Sequence, residues 1–196
     1  AFLPMYQLSY FPNNQNVNGV QAYDKEVDAL NQHTKADKVY IVCSKEQLDE
    51  NGSMKIFSMI DKLSAELSVA SDNETRKRLL MRRAIAHSVL RDFEAAISDF
   101  TYYISLDDKN SLAYWQRAVC QAEMDEFNKA EGKGVLNIHS AEADFSDAIR
   151  QNSNNAYIYY NRGNLHAGRN ELSKAIDDYT IALRIDNRLA EAYYNR

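Results

Sequence analysis

The sequence repeats itself with a period of 34 residues. Residues 156–189 follow the pattern of residues 77–110, and residues 190–196 begin that pattern again. Each unit contains two stretches with the apolar spacing of an α-helix. A helical hairpin of this size cannot bury its apolar face alone, so neighbouring hairpins stack against one another. We therefore predict a mainly α fold, an α–α superhelix of stacked helical hairpins, over residues 77–196.

The middle unit, residues 111–155, is longer than its neighbours by 11 residues. The extra residues form a predicted insertion at 131–141, between the two helices of the unit. Gly132 and Gly134 are expected to end the first helix, and Ser140 is expected to cap the second. Such an insertion is tolerated because the entropy cost of closing a loop grows slowly with its length.

The first 50 residues differ in character from the rest of the chain. Residues 5–11 and 39–43 are short, aromatic and β-branched runs, which are typical of strands. Between them, apolar residues from Val20 to Leu30 recur at helical spacing. Residues 1–50 are therefore predicted to form a small strand–helix–strand segment.

An amphipathic helix is predicted at residues 53–69, with Ser53 as its N-terminal cap. Its apolar side consists of Ile56, Met59, Ile60, Leu63 and Leu67. The terminal unit of a repeat array has an open apolar face that needs a cover. We expect the 53–69 helix to cover the first full repeat in this way.

The composition of the chain argues against several classes of function. The 196 residues carry a net charge of −5, which argues against a nucleic-acid partner because such a partner requires a concentrated basic surface. No apolar run approaches the roughly 18 residues that span a bilayer, so direct membrane insertion is not expected. Cys43 and Cys120 have neither the spacing of metal ligands nor that of a disulfide framework. We expect no metal and no cofactor.

Residues 77–196 resemble the tetratricopeptide repeat family. That family places a large, a small and an aromatic or comparable residue along the first helix, and a small–aromatic–small series along the second. The first-helix residues here are Leu80, Ala84 and His87; Tyr114, Ala118 and Gln121; Tyr159, Gly163 and His166. The second-helix residues are Ala96, Phe100 and Tyr103; Ala141, Phe145 and Ala148; Ala175, Tyr179 and Ala182. The departures are Tyr103 where alanine is usual, and Asp108, Ser153 and Asn187 where proline is usual. The resemblance is specific for the fold and does not identify a partner.

A polar pair also recurs from repeat to repeat. One arginine stands at a fixed place in the first helix, and one aspartate stands just before the aromatic residue of the second helix. The arginines are Arg83, Arg117, Arg162 and Arg196, and the aspartates are Asp99, Asp144 and Asp178. Because a guanidinium can bond both oxygens of a carboxylate, we predict a structural pair within each hairpin. A pair that repeats implies a structural need that repeats, which argues against a catalytic role.

The first helices of stacked hairpins line the inner surface of a superhelix. The family resemblance implies which residues face this concave groove: Arg78, Met81, Ile85, Trp115, Val119, Glu123, Tyr157, Tyr160, Asn164, Glu191 and Tyr194. Met81, Trp115, Tyr160 and Tyr194 stand at equivalent places and would form a ladder of exposed side chains, called here the groove ladder. Aromatic anchors among a few polar groups are typical of peptide-binding hot spots. The amide of Asn164 is suited to hold the backbone of an extended peptide.

No catalytic motif stands out in the chain. The four histidines are dispersed, and His87 and His166 occupy matched positions in two repeats, which favours a role in packing. Gly132-Lys133-Gly134 is too short to be a phosphate-binding loop. We therefore do not expect an enzyme.

Two functions are compatible with these patterns. The first is a scaffold or adaptor that binds a protein or peptide segment in the concave groove. The alternative is an architectural module of a longer chain or of a homo-oligomer, in which the groove is filled by the protein itself, for example by residues 1–50. An exposed groove ladder would favour the first function, and a filled groove would favour the second.

Residues 190–196 leave an apolar flank open at the end of the array. We expect either that the natural chain continues or that another molecule covers this flank, for example through end-to-end self-association. The order of elements is also similar to the C-terminal part of long bacterial multi-repeat proteins of the same family. That resemblance implies a location in the bacterial envelope or periplasm.

Overall fold

The computed structural model describes Met5 and residues 7–10, 20–21, 39–42, 50–134 and 138–196. Three short strands precede the helices: β1 (Gln7–Tyr10), β2 (Val20–Gln21) and β3 (Val39–Val42). They form an antiparallel sheet in the order β1-β3-β2, with Gln7 and Val20 both opposite Val42. Val20 therefore lies in a strand and not in the helix predicted to begin there. The rest of that predicted helix lies outside the described residues.

Eight helices follow in the described part of the chain. Their bounds are α1 (Glu50–Val69), α2 (Asn73–Val89), α3 (Phe93–Leu106), α4 (Ser111–Ala130), α5 (Ile138–Gln151), α6 (Ala156–Gly168), α7 (Leu172–Ile185) and α8 (Ala190–Asn195). Each helix from α1 onwards packs against the next one in sequence. The predicted superhelix of stacked helical hairpins is confirmed.

Short polar residues determine where several helices begin. The carboxylates of Asp72 and Asp92 accept hydrogen bonds from the first turns of α2 and α3, and the side chain of Asn110 accepts one from the first turn of α4. These bonds satisfy backbone N–H groups that have no partner inside the helix. The predicted caps Ser53 and Ser140 are wrong, because α1 begins at Glu50 and α5 begins at Ile138.

The insertion in the second repeat is partly helical. The first helix of that repeat, α4, has 20 residues, whereas α2 has 17 and α6 has 13. It ends at Ala130, and Gly132 adopts the left-handed backbone with a φ of 69°. Residues 138–141 of the predicted insertion belong to α5. The surplus residues therefore lengthen α4 and the stretch between α4 and α5, whereas α5 has 14 residues, as α3 and α7 do.

Aromatic side chains fill the space between successive hairpins. Phe100, Phe145 and Tyr179, which occupy the same position in three repeats, are almost completely buried. Burying a ring of this size stabilises the fold by about 1.5–3 kcal/mol. Small residues Ala84 and Ala118 are also fully buried, which lets the two helices of each hairpin approach closely.

The N-terminal sheet lies against the array. Strand β1 contacts α2 and α4, the first helices of the first and second repeats, and Met5 packs on the hydrophobic core. Strand β1 therefore lies on the first-helix side of the hairpins. Among the helices of the described residues, none is both long and apolar enough to cross a bilayer.

Candidate functional site

Each predicted arginine–aspartate pair is brought together within its hairpin. Two parallel hydrogen bonds of 2.7 Å run from the Arg83 guanidinium to Asp99. Arg117 donates two bonds of 2.7 Å to Asp144. The third pair has the same geometry, with Arg162 Nε 2.9 Å from Asp178 Oδ2 and Nη2 2.8 Å from Oδ1.

The same arginines also reach the preceding hairpin. Arg83 Nη1 donates to the Ser64 hydroxyl at 3.0 Å, Arg117 Nη1 to Thr101 at 3.0 Å, and Arg162 Nη1 to Ser146 at 3.3 Å. Each guanidinium therefore connects two consecutive units of the stack. Sequence reasoning missed these hydroxyl partners, although a serine or threonine 16 residues before Arg117 and Arg162 was a readable signal.

Burial and the neighbouring arginine have opposite effects on the pKa of the Asp144 carboxyl. Burial raises the pKa of the Asp144 carboxyl, and Arg117 offsets only part of this effect. The cost of removing a carboxylate from water is therefore comparable with the gain from the ion pair. Loss of one partner would leave the other charge buried and unpaired, which is costly.

The groove ladder is buried at three of its four positions. The side chains of Met81, Trp115 and Tyr160 have an exposed fraction of 0%, whereas Tyr194 is 68% exposed. The expectation of an open ladder is therefore wrong for the first three. Strand β1 packs against α2 and α4, the helices that carry Met81 and Trp115.

The other predicted groove residues differ in how far they are buried. The side chains that the structure buries are Ile85, Val119, Glu123 and Tyr157. Those that it leaves partly buried are Arg78, Asn164 and Glu191. The Tyr157 ring stacks on Trp115 with the ring centroids 6.5 Å apart, and Glu123 Oε2 lies 3.7 Å from Arg91 Nη2.

A polar cluster joins the third repeat to α8. The Asn164 side-chain oxygen accepts hydrogen bonds from the Tyr179 hydroxyl at 2.7 Å and from Asn195 Nδ2 at 2.9 Å. Asn195 Nδ2 also lies 3.1 Å from the Tyr160 hydroxyl oxygen. The Asn164 oxygen is thus used within the fold, where sequence reasoning assigned it to a peptide backbone. Burial also raises the pKa of the Tyr179 hydroxyl well above its ordinary range.

The contacts of His87 and His166 and the burial of Cys120 favour structural roles for these residues. His87 Nδ1 lies 3.0 Å from the Asp92 carboxylate, and His166 Nδ1 lies 2.8 Å from Glu171 at the equivalent turn. Burial raises the pKa of the Cys120 thiol strongly, which makes it a poor nucleophile at neutral pH. Within the described residues, no group of histidine, cysteine and acidic side chains could hold a metal ion.

Comparison with known proteins gives the same class as the geometry. No family model matches the chain. The human protein named Tetratricopeptide repeat protein 6 is 31% identical over an alignment that covers 53% of this chain and 24% of that protein. The chain thus spans about a quarter of the length of this curated relative. Among solved structures, the Arabidopsis OM64 TPR domain has a TM-score of 0.56 and 19% identity, over 63% of this chain and 93% of that domain.

With the repeated pattern and the stacked hairpins, these similarities support a protein of the tetratricopeptide repeat type. It is a helical-repeat module of a type generally involved in protein–protein interaction. Proteins of this type are typically scaffolds without enzymatic activity, and they act through protein partners.

Proposed function

We propose that the concave side of the array binds an extended segment of a partner protein or peptide, and that the chain acts as a non-enzymatic adaptor. The observation that carries this proposal is the position of β1, which lies against α2 and α4. Strand β1 is an extended stretch of polypeptide in contact with two helices that are expected to line the concave side. A segment of another protein with similar chemistry could be held in the same way.

The chemistry of this side favours an apolar partner segment. Met81, Ile85 and Val119 are buried on this side together with the rings of Trp115 and Tyr160, so a partner segment would contact them only by displacing the residues that cover them. Contacts of this kind stabilise a complex most when water is fully excluded from them. The partly buried Arg78 stands in the first repeat and Glu191 in α8, so polar groups at the two ends could set the register of the bound segment.

A second function is supported by the burial of the groove ladder. Met81, Trp115 and Tyr160 are as inaccessible as the core residues between the hairpins. If β1 never leaves α2 and α4, the concave side is simply part of the core. The chain would then act as an architectural module.

One experiment separates these two functions. A protease site is introduced between residues 43 and 49, and the purified full chain is cut there, so that both pieces remain present. An adaptor is expected to keep its helical circular dichroism after cutting, to release the 1–43 piece on dilution, and to rebind a labelled 1–43 peptide saturably.

An architectural module would give a different result. The two pieces would stay together through gel filtration, or the helical signal would be lost as they separate. A chain with a scrambled protease site, treated in the same way, controls for damage elsewhere. Failure of the labelled peptide to rebind a folded array would overturn the adaptor proposal.

A further inference from the structure

The side chain of Trp115 carries a buried hydrogen-bond donor that has no acceptor. Its ring is fully buried and stacks on Tyr157, with the ring centroids 6.5 Å apart. None of the residues that the structure describes offers an acceptor to the indole nitrogen Nε1 of Trp115. Native proteins pair nearly all their buried donors, because an unpaired donor has lost its contact with water and gained no hydrogen bond in return. The unused N–H of Trp115 is therefore unlike the rest of a well-packed core.

The equivalent place in the next repeat has a satisfied polar atom. Tyr160 is also fully buried, and its hydroxyl oxygen lies 3.1 Å from Asn195 Nδ2. Burial at this place in the repeat is therefore compatible with a hydrogen bond. Trp115 lacks one, although it belongs to the same layer of first helices.

Trp115 lies on a helix that already contacts an extended segment. It belongs to α4, one of the two helices against which β1 packs, and its stacking on Tyr157 joins α4 to α6, the next first helix. The backbone carbonyl groups of an extended segment point alternately to its two edges, so such a segment always presents acceptors. The described residues, β1 included, place none of these acceptors at Trp115 Nε1.

We infer that Trp115 is a specificity-determining residue of the concave side, and that its indole N–H donates to a carbonyl oxygen of the extended partner segment. This inference rests on the proposed binding function. A partner segment has to displace residues of the same chain, which have the advantage of a high effective concentration. A hydrogen bond that only the partner segment makes offsets part of that advantage, by about tenfold in affinity. The favoured partner is thus an extended, apolar segment with an acceptor oxygen at Trp115.

The test removes the donor and keeps the ring. Trp115 is the single tryptophan of the chain, so it can be replaced throughout by benzothienylalanine, in which a sulfur atom takes the place of the N–H group. The full chain is cut between residues 43 and 49 with both pieces present. Short peptides that displace the 1–43 piece are then selected from a displayed library, and their affinity is measured by fluorescence anisotropy.

The affinity and the stability are expected to respond differently. The selected peptides should bind the benzothienylalanine chain about tenfold more weakly than the parent chain, because one hydrogen bond is lost. A labelled 1–43 peptide should bind both chains equally, because it leaves the N–H unused. Urea should unfold the uncut benzothienylalanine chain no more easily than the parent chain, since the N–H makes no bond in the fold. In NMR spectra of the parent chain, the single indole proton should move downfield when a selected peptide binds.

Other results would overturn the inference. Selected peptides that bind the parent and benzothienylalanine chains equally would overturn the role of Trp115 and leave the proposed function standing. A library that yields no peptide able to displace the 1–43 piece would overturn both. Easier unfolding of the benzothienylalanine chain would show that the N–H already has an acceptor within the fold. Tyr102→Ala, which removes an exposed ring on α3, is the control and should leave the affinity unchanged.

Discussion

At the scale of the residue, the close approach of α6 to α7 depends on the absence of a side chain at Gly163. A Cβ atom on Gly163 would lie 2.6 Å from Cε1 of Tyr179. That ring is itself held by a hydrogen bond from its hydroxyl to Asn164, so it has little freedom to move away. Ala84 and Ala118 occupy the same position in the other repeats, where the facing residue is a phenylalanine.

We expect Gly163→Ala to destabilise the fold by about 1–3 kcal/mol, which is typical of overpacking in a closely packed core. Urea unfolding followed by circular dichroism measures this change. Gly168→Ala is the matched control, because its new Cβ would meet only Glu126 Oε1 at 3.9 Å. Equal stability of Gly163→Ala and the parent chain would show that Tyr179 is not held as described.

The buried thiol gives a second prediction at this scale. Because Cys120 is buried and its pKa is raised, it is expected to resist a thiol reagent at pH 8 until the fold opens. Cys43→Ser leaves Cys120 as the remaining cysteine, and its labelling rate is followed with increasing urea. Labelling should rise in parallel with the loss of helical signal. Rapid labelling without urea would contradict the position of Cys120 in the core.

At the scale of the element, the arginine–aspartate pairs determine how helices are joined. Arg117 bonds Asp144 within its hairpin and Thr101 in the preceding one. Removing it would leave a carboxylate that is almost fully buried without a counter-charge. We expect Arg117→Ala to cost about 3–5 kcal/mol.

Urea denaturation measures this cost, and Arg150→Ala provides the comparison. Arg150 pairs with Asp147 on the surface of α5, with 70% of its side chain exposed, so its loss should cost less than about 1 kcal/mol. Similar costs for the two variants would show that the pair between helices has no special role. Arg117→Ala with Asp144→Leu should recover part of the lost stability, because no buried charge remains unpaired.

Helices α1 to α7 were predictable from the sequence because each has several turns of regular apolar spacing. Their ends were less predictable. Ser53 and Ser140 had the right chemistry for caps, but α1 and α5 begin before them. Strand β2 has only two residues and is paired with β3, so no local pattern could reveal it.

At the scale of the whole molecule, the sequence predicted which residues share a position but not which of them are exposed. Trp115 and Tyr194 occupy equivalent places in successive first helices. Whether such a side chain meets water depends on what packs over the array, and β1 is distant in sequence from the helices it contacts. Periodicity contains no information on that packing, so the burial of the groove ladder could not be read from it.

This difference in exposure predicts that substitution by alanine will lower stability at one of two equivalent positions and leave it nearly unchanged at the other. Trp115 has an exposed fraction of 0% and stacks on Tyr157, so Trp115→Ala is expected to cost about 3–5 kcal/mol, as for other buried aromatic side chains. Tyr194 is 68% exposed, so Tyr194→Ala should change stability by less than about 0.5 kcal/mol. Chemical denaturation of both variants, followed by circular dichroism, measures the two values. A loss of stability for Trp115→Ala as small as that for Tyr194→Ala would indicate that the concave side is open to solvent. A free peptide-binding groove would then be favoured over a filled one.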